Sequence, residues 1–289
     1  MKNIDLAVEC GEVRGTPEGV EVKKEDGAGC RIQIITVTTE EAAQKLGKPI
    51  GTYITIEFDE EPGDNESLLA LSKEIAKQLS GLLPEEGDIL FCGLGNRNIT
   101  PDALGPIAAE KVLATRHLPK DMPELKGLRP VSVFSAGVLS QTGIETAELL
   151  SGVVDRTKPA AVVTADALAA RRLSRLSRTV QISDTGIAPG SGVGNTRTAI
   201  DEKTLGCRVI AVGVPLVVDG ATLACDLFNI EDQKREQTRQ LLPETAERLM
   251  VTSQEIDKTV SAVGRLIALA FNLAVQPSMD PQTLLEMTS

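Results

Sequence analysis

From Asp88 onward the chain alternates, with the short apolar runs DILFC, VSVFS, AAVVTA and RVIAVGV separated by segments of helical periodicity. Runs this short and this continuous suit strands buried on both faces. Their alternation with helices over DALGPIAAEKVLATRHL, GIETAELLSGVVDRT and DALAARRLSRL predicts a three-layer α/β fold, a mostly parallel or mixed sheet with helices on both faces. No internal repeat, low-complexity tract or Pro/Ser-rich linker interrupts the pattern. A single domain over residues 1–289 is therefore the simpler expectation.

The first 60 residues read as β structure, because RIQIITVTT and TYITIEF alternate and are rich in β-branched residues. Helix formers in EEAAQKLGKPIG lie between them, and a helix is expected from Asn65 to Leu83 with Asp64 or Asn65 as its N-cap. Near the C-terminus, Thr252 and Glu255 have capping-box spacing ahead of an apolar stripe of Ile256, Val260, Val263, Ile267 and Phe271.

Composition excludes several function classes. Thirty basic against 41 acidic residues leave a net charge of -11, which opposes nonspecific binding to nucleic acid. Aromatic residues make up only 2% of the chain, too few for base-stacking platforms. No run approaches the roughly 20 uninterrupted apolar residues of a membrane span, and MKNIDLAVECGEV lacks a signal-peptide core. The expected compartment is the cytoplasm. Cys10, Cys30, Cys92, Cys207 and Cys225 form no C-x-x-C pair and read as reduced thiols.

Ligands of open parallel sheets collect outside the carboxyl ends of the strands. Asp102 follows the ILFC run and Asp166 directly follows AVVTA, so both aspartates belong on that rim. Either could simply cap a helix. Two carboxylates close together, however, cannot both ionise comfortably; they share a proton and so provide a general base and a general acid at once.

The segment ISDTGIAPGSGVGN carries Gly186, Gly190, Ser191, Gly192 and Gly194, whose backbone amides would bind an extended substrate or an oxyanion. It matches neither a P-loop nor a dinucleotide fingerprint. His117, the lone histidine, reads as a residue at a helix C-terminus, and no serine has nucleophile-elbow context. ARRLSRLSR reads as a solvated helix face on which one arginine could orient a carboxylate.

At these segments the chain resembles the germination proteases of spore-forming bacteria. The resemblance is carried by DLAVE, GLGN with TPDALGP, TRHL, RPVSVFSAGVLSQTGIET, ADALAAR, QISDTGIAPGSGVGN, TLG with VIAVGVPLVVD, and MVTSQEID, in order over most of the length. It implies a fold like that of the hydrogenase-maturation peptidases and an endopeptidase without an obligatory cofactor. Implied too are a homotetramer in the spore core, small acid-soluble spore proteins as substrates, and essential aspartates at Asp102 and Asp166. Family members are made as zymogens that lose a propeptide ahead of LAVE; here MKNID precedes Leu6, so residues 1–5 would be that short propeptide or a disordered terminus. The chain departs from the family pattern at Ala136, Thr196 and Thr198 and in a short segment after VVDG.

The leading expectation is an aspartate-dependent endopeptidase with no direct nucleic-acid or membrane partner. One alternative gathers a divalent ion with Asp102, Asp166 and Glu145 or His117. Another is a non-catalytic oligomer that binds peptide in the glycine loop.

Overall fold

The structure, a computed structural model, describes residues 4–118, 127–190 and 197–288. Its centre is one nine-stranded sheet in the order β1-β2-β3-β7-β8-β6-β4-β5, with β9 paired to β8. The strands are β1 (Val20–Gly27), β2 (Cys30–Val37), β3 (Gly51–Phe58), β4 (Ile89–Leu94), β5 (Val131–Gly137), β6 (Ala161–Ala170), β7 (Thr179–Ser183), β8 (Arg208–Asp219) and β9 (Met250–Val251). The pairs β4–β5, β4–β6 and β6–β8 are parallel, and the others are antiparallel. The sheet is thus mixed, one of the two expected forms.

The helices are α1 (Ala7–Arg14), α2 (Glu40–Leu46), α3 (Asn65–Ser80), α4 (Leu104–Lys111), α5 (Leu139–Thr142), α6 (Thr146–Thr157), α7 (Glu202–Leu205), α8 (Gly220–Leu227), α9 (Asp232–Leu241), α10 (Glu244–Arg248), α11 (Ile256–Val275) and α12 (Pro281–Met287). Strand periodicity sorts the core to two faces. Ile89 and Phe91 of β4 join α3, α4 and α11 in one cluster, while Leu90, Cys92 and Leu94 join α6 and α7 on the opposite face. A third cluster, under α1 and α2, shares that second face at the β1–β3 end. Helix α11 is long and apolar enough to cross a membrane, but it is mostly buried in this core, where Phe271 meets Phe91 edge-on with ring centres 4.8 Å apart.

Four local expectations are corrected. The helix expected over DALAARRLSRL is strand β6 as far as Ala170, followed by a 3-10 turn at Leu173–Arg175. The all-β N-terminal segment contains α1. The helix expected to run to Leu118 ends at Lys111. The Thr252–Glu255 capping box does not form: the Thr252 hydroxyl donates to the Leu216 carbonyl at 2.7 Å, and α11 begins without a side-chain cap.

The topology makes a crevice. From β4 the chain passes through α4 outward to β5, then returns through α6, on the other face, to β6. Beyond β6 it continues to the opposite side, so strand order reverses at the carboxyl ends of β4 and β6, where open α/β sheets bind ligands.

Candidate active site

Asp102 reaches that crevice because β4 breaks off sharply. A bulge falls at Gly93/Leu94, Gly95 takes φ +104°, and a 3-10 turn over Thr100–Asp102 brings the chain back. A side chain at Gly95 would put Cβ 2.1 Å from the Asp102 carbonyl oxygen, so only glycine allows this return. Gly105, at the start of α4, is pressed between strands: its Cβ would lie 2.3 Å from the Leu94 oxygen and 2.4 Å from the Ala165 oxygen. The carboxylate of Asp102 accepts the Asn96 amide at 2.8 Å through Oδ2. Helix α4 has no side-chain cap, so Asp102 is not spent on capping it.

Asp166 lies within β6, opposite Gly213 of β8 and one residue past Ala165, the last partner of β4. It is 5% exposed, and its Oδ1 accepts the Ala167 amide at 2.9 Å. The strand alternation puts it on the face of Val162 and Leu168, in the gap between the two clusters on that face. Both aspartates line one cavity of about 480 Å³ with Asp5, Glu145 and Arg197. Burial, then the charge of Asp102, then that of Asp5, hold the Asp166 carboxyl well above the usual aspartate range. Asp102 is also raised by burial, opposed by its Asn96 hydrogen bond.

Sequence reasoning missed Asp5, whose Oδ2 accepts the Ala169 amide at 2.9 Å; the signal available was the DLAVE block itself. It also missed Asn96, which holds Asp102 and accepts from Gln141 Nε2 at 2.6 Å. Of the glycine loop, Gly190 is on the wall of the large cavity and Gly186 on a neighbouring one of about 250 Å³. Ser191, Gly192 and Gly194 lie outside the described residues. The divalent-ion set does not assemble: Glu145 pairs with Arg197 at 3.5 Å, and His117 is exposed and off the cavity wall. Among the described residues no group of three His, Cys, Asp or Glu is placed to hold a metal.

ARRLSRLSR is no helix face. Arg175 is largely buried and binds Glu9, Glu12 and Glu57, which ties α1 and β3 to the end of β6. Glu9 is 1% exposed and accepts the Arg171 amide at 2.8 Å, while its Oε2 has no partner among the described residues. Burial, opposed by Arg175, pushes its carboxyl up to about 7. With a folded value above the ordinary 4.5, Glu9 contributes stability fully below that pH and loses it as pH rises through about 7. Glu9→Gln is therefore expected to remove a pH slope worth on the order of 3 kcal/mol between those limits. Thermal melts across that range check this, and an unchanged slope would refute it.

A model of the germination protease family matches residues 5–230 of the chain. The germination protease of Caldanaerobacter subterraneus subsp. tengcongensis is 41% identical over 97% of this chain and 96% of its own length. This chain belongs to the germination protease family. The germination protease of Bacillus subtilis is 35% identical over 96% of this chain and 94% of its own length, and one from Clostridium perfringens is 42% identical over 86% and 85%. A solved [NiFe] hydrogenase maturation protease, HycI from Thermococcus kodakarensis KOD1, aligns with 67% of this chain and 97% of its own at 17% identity and TM-score 0.38, too loosely to carry an argument. Family membership makes the chain a peptidase. The chemistry required of its site is amide hydrolysis.

Proposed function

We propose that this germination protease hydrolyses small acid-soluble spore proteins during spore germination, with Asp102 and Asp166 as its acid–base pair. The observation that carries the reading is that both carboxyls line one cavity, where burial and then the charge of Asp102 raise the Asp166 carboxyl above the usual aspartate range. The more buried and more strongly raised Asp166 holds the shared proton, and Asp102 is the ionised partner. Asp102 takes a proton from the attacking water as its oxygen bonds to the scissile carbonyl carbon. The Asp166 proton meanwhile stabilises the developing oxyanion. The proton gained by Asp102 then passes to the amine as the C–N bond breaks. Gly190, on the cavity wall, offers its backbone to the substrate chain.

The reading extends to a homotetramer, made as a zymogen in the spore core. Assembly is supported by Leu227, Phe228, Leu241 and Leu249, which stand exposed on or next to the adjoining helices α8, α9 and α10. The test is digestion of a small acid-soluble spore protein with and without chelator, followed by mass spectrometry. Cuts at discrete internal bonds that persist in chelator are expected. An intact substrate, or cleavage only with added metal, would overturn the proposal.

A further inference from the structure

Strand β6 outruns its neighbour. Gly93 opposite Ala165 is the last β4 pairing, whereas β8 continues alongside β6 to Ala170. Among the described residues, no strand covers the β4-side edge of β6 beyond Ala165. In an extended strand alternate residues aim both backbone groups the same way, so Ala167, Ala169 and Arg171 face this edge, as Ala165 faces β4.

Their amides confirm that direction, and none of the three meets a backbone carbonyl there. Ala167 donates to Asp166 at 2.9 Å, Ala169 to Asp5 at 2.9 Å and Arg171 to Glu9 at 2.8 Å. Three successive outward amides thus rest on carboxylates, two of them from the N-terminal segment. At Arg171 the edge is sealed, because Glu9 is buried. Ala167 and Ala169 are partly exposed and lie on the wall of the large cavity beside Asp166.

We propose that this edge is the substrate-binding strand: an extended polypeptide segment adds alongside β6 and pairs with Ala167 and Ala169. The inference rests on the peptidase reading of the same cavity. A carbonyl of the substrate takes the Ala169 amide in place of the Asp5 carboxylate, and substrate amides donate to the Ala167 and Ala169 carbonyls. Backbone pairing of this kind supplies affinity, while side chains at every second position supply selectivity. A segment already paired within a folded domain must be released before it can add to this edge, so an unfolded chain is the favoured occupant. Anionic nucleic acid is the wrong occupant, since Asp5 and Asp102 line the cavity and Arg197 on its wall is paired with Glu145.

The test is a backbone N-methyl scan. Synthetic peptides tiling a small acid-soluble spore protein are screened for binding to the Asp166→Asn variant and for cleavage by the unaltered enzyme. The best peptide is then remade with one N-methyl group at each position in turn. Strand addition predicts a two-residue period within a short window: methyl groups facing the edge weaken binding and kcat/KM by about tenfold or more, and their neighbours by less than about twofold. A cleaved peptide whose losses lack that period overturns strand addition while leaving the peptidase reading in place. The period seen in binding without cleavage would uphold the edge and sink the peptidase reading, and a failure of every peptide to bind or be cut would overturn both.

Discussion

Asp166→Asn and Asp102→Asn are each expected to yield a folded protein whose peptide hydrolysis is slower by about a thousandfold or more. Asparagine keeps the volume and one oxygen of aspartate, so the amides of Ala167 and Asn96 can still be accepted. What each variant loses is different. On the proposed mechanism, a site without Asp166 has no proton to place against the oxyanion. On the same mechanism, a site without Asp102 has no base for the water and loses one of the charges that raise the Asp166 carboxyl. The double variant should be little worse than either single one, as the proposal that the pair acts as a unit requires. Initial rates of spore-protein cleavage, with the circular dichroism of each variant as the folding control, decide it. A single variant retaining a tenth of the activity would remove the pair from the mechanism.

Stability and activity should separate under pH. The Asp166 carboxyl is raised by burial and by neighbouring negative charge, so the stability it contributes is present below the ordinary aspartate value of 3.8 and lost as pH rises through its folded value. The Asp166→Asn variant should therefore melt at or above the temperature of the unaltered protein in mildly alkaline solution, though it is inactive. For the intact enzyme the proposed pair predicts that activity falls in acid as Asp102 takes a proton and falls in base as Asp166 loses one. The two limbs report apparent values of the pair.

That Asp102 and Asp166 line one cavity was legible in the sequence only at the level of strand ends. Asp102 and Asp166 both follow apolar runs, and that was enough to bring them to one rim. The local reason was wrong for Asp166: DALAARR has the composition of a helix, yet pairing with β8 through Ala170 holds it as strand. Tertiary context overrode a weak propensity. Strand β7, TVQIS, was hidden because Gln181 reads as polar. Its buried amide group is instead satisfied by the Ile54 and Ile182 carbonyls, the Thr55 hydroxyl and the Ala7 amide. Helix α1 was hidden for a related reason, since its buried Glu9 is matched by an arginine more than 160 positions away. Partners that distant leave no local pattern to read. The glycines of GLGN and DALGP did signal something local, the close approach of α4 to two strands.

That approach supports a prediction of opposite signs at two helical glycines. Helix propensity alone favours alanine over glycine by about 1 kcal/mol at either site. Gly152, inside α6, has nothing within 4 Å of a built Cβ, so Gly152→Ala should stabilise by about 0.5–1 kcal/mol and leave activity unchanged. At Gly105 the same methyl group would lie 2.3–2.4 Å from Leu94 and Ala165 backbone atoms, which belong to β4 and β6. Backbone in two packed strands cannot swing aside as a flexible side chain can, so the clash outweighs the propensity, and Gly105→Ala should destabilise by roughly 3 kcal/mol or more. Relief must shift α4, which directly follows the turn holding Asp102, against β4 and against β6, which carries Asp166, so kcat should fall even below the melting transition. Melting temperatures and cleavage rates of the two variants, measured together, check this; a Gly105→Ala protein as stable and active as Gly152→Ala would mean that the contact of α4 with β4 and β6 does not set the distance between the aspartates.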